Sequence, residues 1–321
     1  MSFKLNDSGS LKPEINQSNP VQTLMKRMIN DRYLLCMLIP GVIYFILFKY
    51  MPMFGILVAF KNYNVFAGFW NSEWVGLRYF KIFFDAPDAW IVIRNTFLLG
   101  IYRLFWGFPA PIILALLLNE VRMYRFKRFV QTVSYMPHFI STVVVTGMVA
   151  MFLSPTNGII NGFLKWIGIE PVAFLQEPEW FRTVFVASDI WQEVGWGSII
   201  YLAALTTINS SLYEAASIDG ASRWRQMISV TIPGIMPAIV ILFILRVGNI
   251  LETGFEKVYL LYNPATYEKA DILATYVYRV GLTQNNYSYG AAIDLFTGII
   301  GLIFIVSTNY LGRKVGDSSL W

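Results

Sequence analysis

Six apolar stretches, each near the length a helix needs to cross a bilayer, limit what this chain can become. They run over about 33–52, 89–118, 129–153, 183–208, 235–253 and 289–311, and roughly 20 residues of helix traverse the hydrocarbon core. Hydrocarbon cannot satisfy an exposed peptide group, so a spanning stretch is a helix or part of a closed barrel. Continuous apolar runs of this length, without alternation, select helices. The expected fold is therefore all-α membrane, with six transmembrane helices in one domain over 33–311. Composition agrees, with 56% hydrophobic and 14% charged residues against about 25% charged in a soluble domain.

Lys and Arg orient the spans. With the N-terminus inside, the inner segments hold Lys4, Lys12, Lys26, Arg27, Arg32, Arg122, Arg125, Lys127, Arg128, Arg223, Arg225, Arg313 and Lys314, and the outer ones hold fewer, offset by acids. The positive-inside rule then places both termini and the segment 210–233 in the cytoplasm. The net charge of +5 is explained by these scattered basic loops, and nucleic acid is not an expected partner. Cys36 and His138 are the only residues of their kinds, so neither a disulfide framework nor a metal site is expected. Residues 1–32 read as a cytoplasmic tail, disordered over 1–18 and then an interfacial helix over 20–31, with Val21, Leu24, Met25, Met28 and Ile29 on one face. A polar tail leading into a full-length span is not a cleavable signal peptide. Ile159, Ile160, Phe163, Leu164 and Ile167 make a second interfacial helix, and 312–321 form a second cytoplasmic tail.

The longest polar interruption in the second half, SSLYEAASIDGASRWRQMISVTIP from Ser210 to Pro233, reads as two short helices around a turn. Leu212, Ala215, Ala216 and Ile218 belong to the first. Asp219 and Gly220 stop it, Asp219 being suited to cap the second helix and Gly220 to take positive φ. Trp224, Met227, Ile228 and Ile232 recur at helical spacing in the second, which Pro233 closes. Such a pair forms a knob that fits a partner's groove. EAA, then DGA, then Pro233 resembles the cytoplasmic coupling loop of ABC-importer permeases. DIWQEVGWGSIIYLAAL from Asp189 and PGIMPAIVILFILRVGN from Pro233 are similar to the maltose-type sugar permeases, in their oligosaccharide branch. SYMPHFIS from Ser134 and NGIIN from Asn157 resemble the same family.

That resemblance implies a compact type I ABC importer permease fold with cytoplasmic termini, without the large inserted extracytoplasmic domain of one relative. It implies a permease subunit, not an enzyme, that moves oligosaccharides across the plasma (inner) membrane by alternating access. No G-x-x-x-x-G-K-[ST] occurs in the chain, so ATP and Mg are expected on a separate ATPase and no cofactor on this chain. The implied partners are a second homologous permease, two copies of the ABC ATPase, and a lipid-anchored or periplasmic solute-binding protein, within a setting of membrane lipids. Glu214, Ala215, Ala216, Asp219, Gly220 and Ala221 are the residues the resemblance assigns to ATPase coupling. Glu214 would pair with a basic residue in the ATPase cleft, the alanines let the helix seat closely, and Gly220 sets the bend.

Ionisable and polar groups inside spans are costly and default to functional candidates. The substrate-path candidates are Arg94, Arg103, His138, Asp189, Gln192, Glu193, Trp196, Arg246 and Asn249, with Glu193 and Arg246 expected to pair; Asp294 lies in the sixth span. A helix broken at Pro137 would leave a carbonyl free, and Pro109 and Pro111 kink the second span. Arg94, Arg103, Arg246 and His138 together point to an anionic substrate such as a uronic-acid oligosaccharide. With the oligosaccharide-branch resemblance, this implies plant-polysaccharide fragments, including pectin-derived ones. The outer segment 254–288 carries Tyr259, Tyr262, Tyr267, Tyr276, Tyr278 and Tyr287, which form either a sugar-handling surface or a headgroup-level belt, the belt being favoured for Tyr287 and Tyr289. Three other readings compete. One is an importer permease for a polyamine, phosphate or amino acid. The second is a polytopic membrane enzyme, for which no catalytic cluster is visible. The third is a secondary transporter, for which no inverted repeat is visible.

Overall fold

The computed structural model describes residues 3–5, 11–13 and 31–315. The interfacial helix expected over 20–31 falls outside these residues apart from Asp31, as does the end of the C-terminal tail. Where the sequence leads to disorder, β1 (Phe3–Leu5) pairs antiparallel with β2 (Leu11–Pro13). The chain forms two units, Met1–Ile56 and Leu57–Trp321. Most of the first helix, α1 (Arg32–Phe60), belongs to the first. It is apolar on all sides, as suits a helix whose solvent is lipid.

The second unit opens with a two-rung ladder, β3 (Lys61–Asn62) on β4 (Glu73–Trp74). Next in the chain are α2 (Arg78–Asp85), α3 (Ala89–Glu120), α4 (Tyr124–Tyr135), α5 (Thr142–Phe152), α6 (Ile159–Trp166) and α7 (Pro178–Leu205). After them come α8 (Ser210–Ile218), α9 (Arg223–Gly248), α10 (Phe255–Leu261), α11 (Tyr267–Ala270), α12 (Leu273–Tyr276) and α13 (Tyr287–Val315). Of these, α1, α3, α9 and α13 up to Tyr310 are long and apolar enough to cross a membrane. At 28 residues α7 is about 42 Å long, but Asp189, Gln192 and Glu193 interrupt its apolar surface.

Three proline sites depart from expectation. The stretch 129–153 is not one straight span: α4 ends in a single 3-10 turn at Met136–Phe139, and α5 leaves at 104°. Pro137 lacks the N–H that would continue the ladder, Ile140 and Ser141 are extended, and Ser141 Oγ caps α5 by accepting from Val144 N. Pro233 does not close a helix. The helix expected over 235–253 starts at Arg223, passes through both Pro233 and Pro237, and ends at Gly248. A π-helical turn at Met227–Thr231 widens the backbone just before Pro233, which relieves the clash of its ring with the preceding turn. Another at Arg103–Gly107 precedes Pro109 and Pro111, so α3 stays continuous there.

Helix α7 is central. Phe181, Phe185 and Val186 bury against Leu99 of α3 and Val258 and Leu261 of α10, while Tyr201 and Leu205 meet Ala115 and Ile235 further along. A Cβ on Gly195 would run into the backbone carbonyl of Ser134, so glycine is what lets the end of α4 lie against α7. A separate cluster joins Phe83, Val92 and Ile93 to Leu273, Tyr276, Tyr289 and Ile293. Tyr289 is only 4% exposed, with its hydroxyl 3.1 Å from that of Tyr276. Both are core residues, which corrects the belt reading for Tyr289 and removes Tyr276 from any sugar-handling surface. The expected amphipathic helix α6 does form: Ile159, Phe163 and Trp166 are exposed, and Asn161 anchors it through the Leu153, Ser154 and Val172 backbone.

Candidate functional site

Residues 189, 192, 193 and 196 fall on one face of α7 because i, i+3, i+4 and i+7 share a face. Asp189, 6% exposed, is the focus. Its Oδ2 accepts from Arg103 Nε at 2.7 Å, and its Oδ1 accepts from Arg103 Nη2 at 3.4 Å and Lys257 Nζ at 3.5 Å. Arg246 Nη2 approaches Oδ2 at 3.9 Å. Three cations thus lie within 4 Å of one carboxylate, and Glu193 and Glu252 stand in the cavity walls beside Arg246. Arg103 also donates from Nη1 to the Glu252 carbonyl at 3.2 Å. The expected Glu193–Arg246 pair is not made: Glu193 Oε2 lies 3.0 Å from His138 Nδ1, and Arg246 leans on Asp189. The His138 ring stacks on Trp196 at 4.5 Å and 3°.

Two cavities meet at this cluster. One of about 390 Å³ is lined by Arg103, Leu104, Leu242, Arg246, Asn249 and Glu252. The other, about 180 Å³, is lined by Phe108, Pro111, Glu193, Tyr201, Leu242 and Arg246. Arg246 stands in the wall of both. Asn249 and Glu252 lie beyond the end of α9, in the turn after it.

Gln192 answers the carbonyl freed at the α4–α5 break: its Nε2 donates to Ile140 O at 3.2 Å. Gln192→Leu is expected to cost about 1–3 kcal/mol, the penalty of a buried group left unsatisfied. A lower melting temperature of the purified membrane assembly would register it. Arg94 is not brought to the Asp189 cluster. Its Nη2 donates to the Glu268 carbonyl at 3.1 Å, beside Asn95, whose Nδ2 donates to Glu268 O and Asp271 O and whose Oδ1 accepts from Arg182. This is a latch that ties α3 and α7 to the segment from Glu268 to Asp271. Asp294 is exposed on α13 and makes no ion pair among the described residues. Sequence reasoning missed Lys257, which falls with Val258 and Leu261 on the buried face of α10; a lysine recurring in phase with apolar residues was the available signal.

In the loop between α7 and α9, α8 ends in a Schellman motif. Ala221 N donates to Ala216 O at 2.9 Å and Gly220 N to Ser217 O at 3.1 Å, with Gly220 at φ +75°. Asp219 is the C-cap of α8 and does not cap the next helix; Ser222 does, its Oγ accepting from Arg225 N. The two arms are braced by residues that the sequence did not single out. Gln226 Nε2 donates to Ser217 Oγ and Ala221 O, each at 3.0 Å, and Tyr213 and Thr231 hydroxyls lie 3.0 Å apart. Leu212, Glu214, Ile218 and Trp224 are left exposed on this fixed knob. Among the described residues no three His, Cys, Asp or Glu side chains gather as a metal site.

Residues 107–317 match the family described as "Binding-protein-dependent transport system inner membrane component". The chain is 46% identical over 298 residues to the polygalacturonan/rhamnogalacturonan transport system permease protein YteP of Bacillus subtilis (strain 168), covering 93% of each. It is similar to a chain in the crystal structure of a bacterial ABC transporter involved in the import of the acidic polysaccharide alginate, with TM-score 0.86 and 43% identity over 91% of this chain and 99% of that one. The bacterial alginate transporter in complex with its alginate pentasaccharide-bound periplasmic protein gives TM-score 0.86 and 42% identity over 92% and 99%. The family match covers well over half of the chain and the relatives nearly all of it, so the chain belongs to the binding-protein-dependent inner membrane transport components, as a multi-pass permease subunit of an oligosaccharide ABC importer.

Proposed function

We propose that this permease passes acidic oligosaccharides, in particular fragments of plant polysaccharides, through the Arg246 site. The observation that carries the reading is that Asp189, with three cations within 4 Å, leaves Arg246 at the longest contact and facing the cavities. Arg103 takes the short contacts, and Arg246 is left at 3.9 Å with its side chain 38% exposed in the wall of both cavities. A guanidinium placed this way offers charge-assisted hydrogen bonds to a uronate carboxylate. Similarity to a permease named for polygalacturonan and rhamnogalacturonan, and to a chain of a transporter involved in import of the acidic polysaccharide alginate, supports the same substrate class.

The remaining parts of the machine complete this reading. A binding protein delivers the sugar, a second homologous permease completes the pathway, and two ATPase copies carry ATP and Mg. The loop 210–233 within the permease domain 33–311 is the contact with the ATPase through Glu214, Ala215, Ala216, Asp219, Gly220 and Ala221. Loaded binding protein drives the cycle only by favouring one of the two access states. His138, Glu193, Trp196, Gln192 and Asn249 position the path around Arg246, and Arg94 acts at a distance by holding the outer segment.

The test is uptake by the complete transporter in proteoliposomes, using acidic and neutral oligosaccharides of equal length. Arg246→Gln is expected to lower acidic uptake by about tenfold, the size of one charge-assisted hydrogen bond, and to leave neutral uptake nearly unchanged. A transporter that moves only the neutral chains would overturn the acidic reading.

A further inference from the structure

Helix α10 is turned inside out. Its sequence FEKVYLL buries Lys257, Val258 and Leu261, whereas Phe255 and Tyr259, one turn apart, are 36% and 39% exposed. Lys257 is drawn inward by the Asp189 carboxylate. Burying the lysine leaves the aromatic side chains outside, where core formation does not account for them.

These rings do not stand alone. Phe255 stacks on Tyr259 at 5.6 Å and 22°, and Tyr278 lies 5.0 Å from Tyr259 and 5.4 Å from Phe255. Tyr262 comes next at 5.7 Å from Tyr259, and Tyr267 at 4.9 Å from Tyr262. The Arg279 guanidinium ends the row, 4.8 Å over the Tyr267 ring. Asp271 accepts two hydrogen bonds from Arg279, at 3.1 and 2.5 Å. Burial alone would lower the Arg279 pKa, but the hydrogen bond and charge of Asp271 outweigh it and hold the group above its ordinary value.

The row is also held rigidly. Asn263 Nδ2 donates to Leu175 O at 2.6 Å, Lys269 pairs with Glu179, and Asn95 holds the Glu268 and Asp271 carbonyls.

We propose that this row is a saccharide-stacking track at the outer mouth of the permease, on which successive sugar units lie before they reach Arg246. The inference deepens the oligosaccharide reading above and rests on it. Sugars present a C–H face with a hydroxyl rim, and tyrosine presents an apolar ring with a polar tip, so the two match in both parts. Helix α10 ties the row to the Asp189 cluster: Lys257, on the opposite face from Phe255 and Tyr259, contacts the carboxylate that holds Arg103 and Arg246. Rings fixed in advance bind with little ordering cost.

The experiment uses the complete transporter in proteoliposomes with its binding protein and an acidic oligosaccharide. It compares a Tyr259→Ala/Tyr278→Ala pair with a Tyr259→Phe/Tyr278→Phe pair, and adds Tyr259→Leu, which keeps apolar bulk without a ring. The Ala pair is expected to lower uptake by about tenfold while loaded binding protein still stimulates ATP hydrolysis as in the unaltered chain. Tyr259→Leu should lower uptake by less, and the Phe pair should transport normally. Three results overturn the track. One is unchanged uptake by the Ala pair and by Tyr259→Leu. The second is normal uptake by Tyr259→Leu with assembly lost in the Ala pair, which marks a structural or headgroup-belt role. The third is loss of ATPase stimulation in step with uptake, which marks a surface for the binding protein. If the unaltered transporter moves no saccharide at all, the importer reading falls and the track falls with it, whereas normal transport insensitive to these substitutions removes the track alone.

Discussion

Asp189→Asn is expected to destabilise the assembled permease by about 3–5 kcal/mol, the cost of removing one partner from a buried ionic group. Asn keeps the shape but removes the carboxylate that Arg103, Lys257 and Arg246 share. Arg246 can turn towards the cavities, where water relieves it. Lys257 cannot, because at 5% exposure it is enclosed by the core formed by α3, α7 and α10. Its charge therefore dominates the penalty, and Lys257→Met in the Asp189→Asn background should recover most of the loss. The melting temperature of the detergent-purified complex is the measurement. An Asn variant as stable as the unaltered chain would mean that water already solvates the cluster, and the ion pairs at Asp189 would not be what holds it.

The same cluster shows how far the sequence could be read. Length and apolarity expose the spans because lipid admits few alternatives, and the charges inside α7 mark the face on which Asp189 and Glu193 make their ion pairs. Helical period does not fix which cation meets which carboxylate across facing helices. Glu193 and Arg246 looked matched, yet Asp189, one turn away and more buried, draws Arg246, and Glu193 turns to His138. Lys257 escaped because the segment after α9 reads as outer loop, although α10 buries one face in the core. Pro137 announces a break but not an angle of 104°. Pro233 announces a stop that a π turn at Met227–Thr231 cancels, since the turn-widening depends on how α9 must continue into the membrane. Tyr276 and Tyr289 carry no local signal that separates a core tyrosine from a headgroup-level one.

Glu214→Ala combined with Gly220→Val should abolish energy coupling, with uptake falling more than the roughly tenfold expected of Arg246→Gln. The two changes act on different properties of one surface. Glu214 is exposed and makes no ion pair among the described residues, so its charge is free for a basic residue of the ATPase. Gly220 at φ +75° is a position where a β-branched side chain is a steric outlier, costing on the order of 1–2 kcal/mol. That strain is relieved most easily by opening the Ala221–Ala216 and Gly220–Ser217 bonds, after which the Gln226 and Tyr213 braces no longer hold the arms of the knob together. Affinity purification of the tagged complex should then recover the second permease and the binding protein but little ATPase. Glu214→Gln with Gly220 intact should fall between the two, because it keeps the shape and loses only the charge. Equal recovery of the ATPase from all versions would make the knob a mere connector, and the coupling contact would have to be sought on the other basic stretch, Arg122–Arg128 at the start of α4, where Arg125 and Arg128 are exposed.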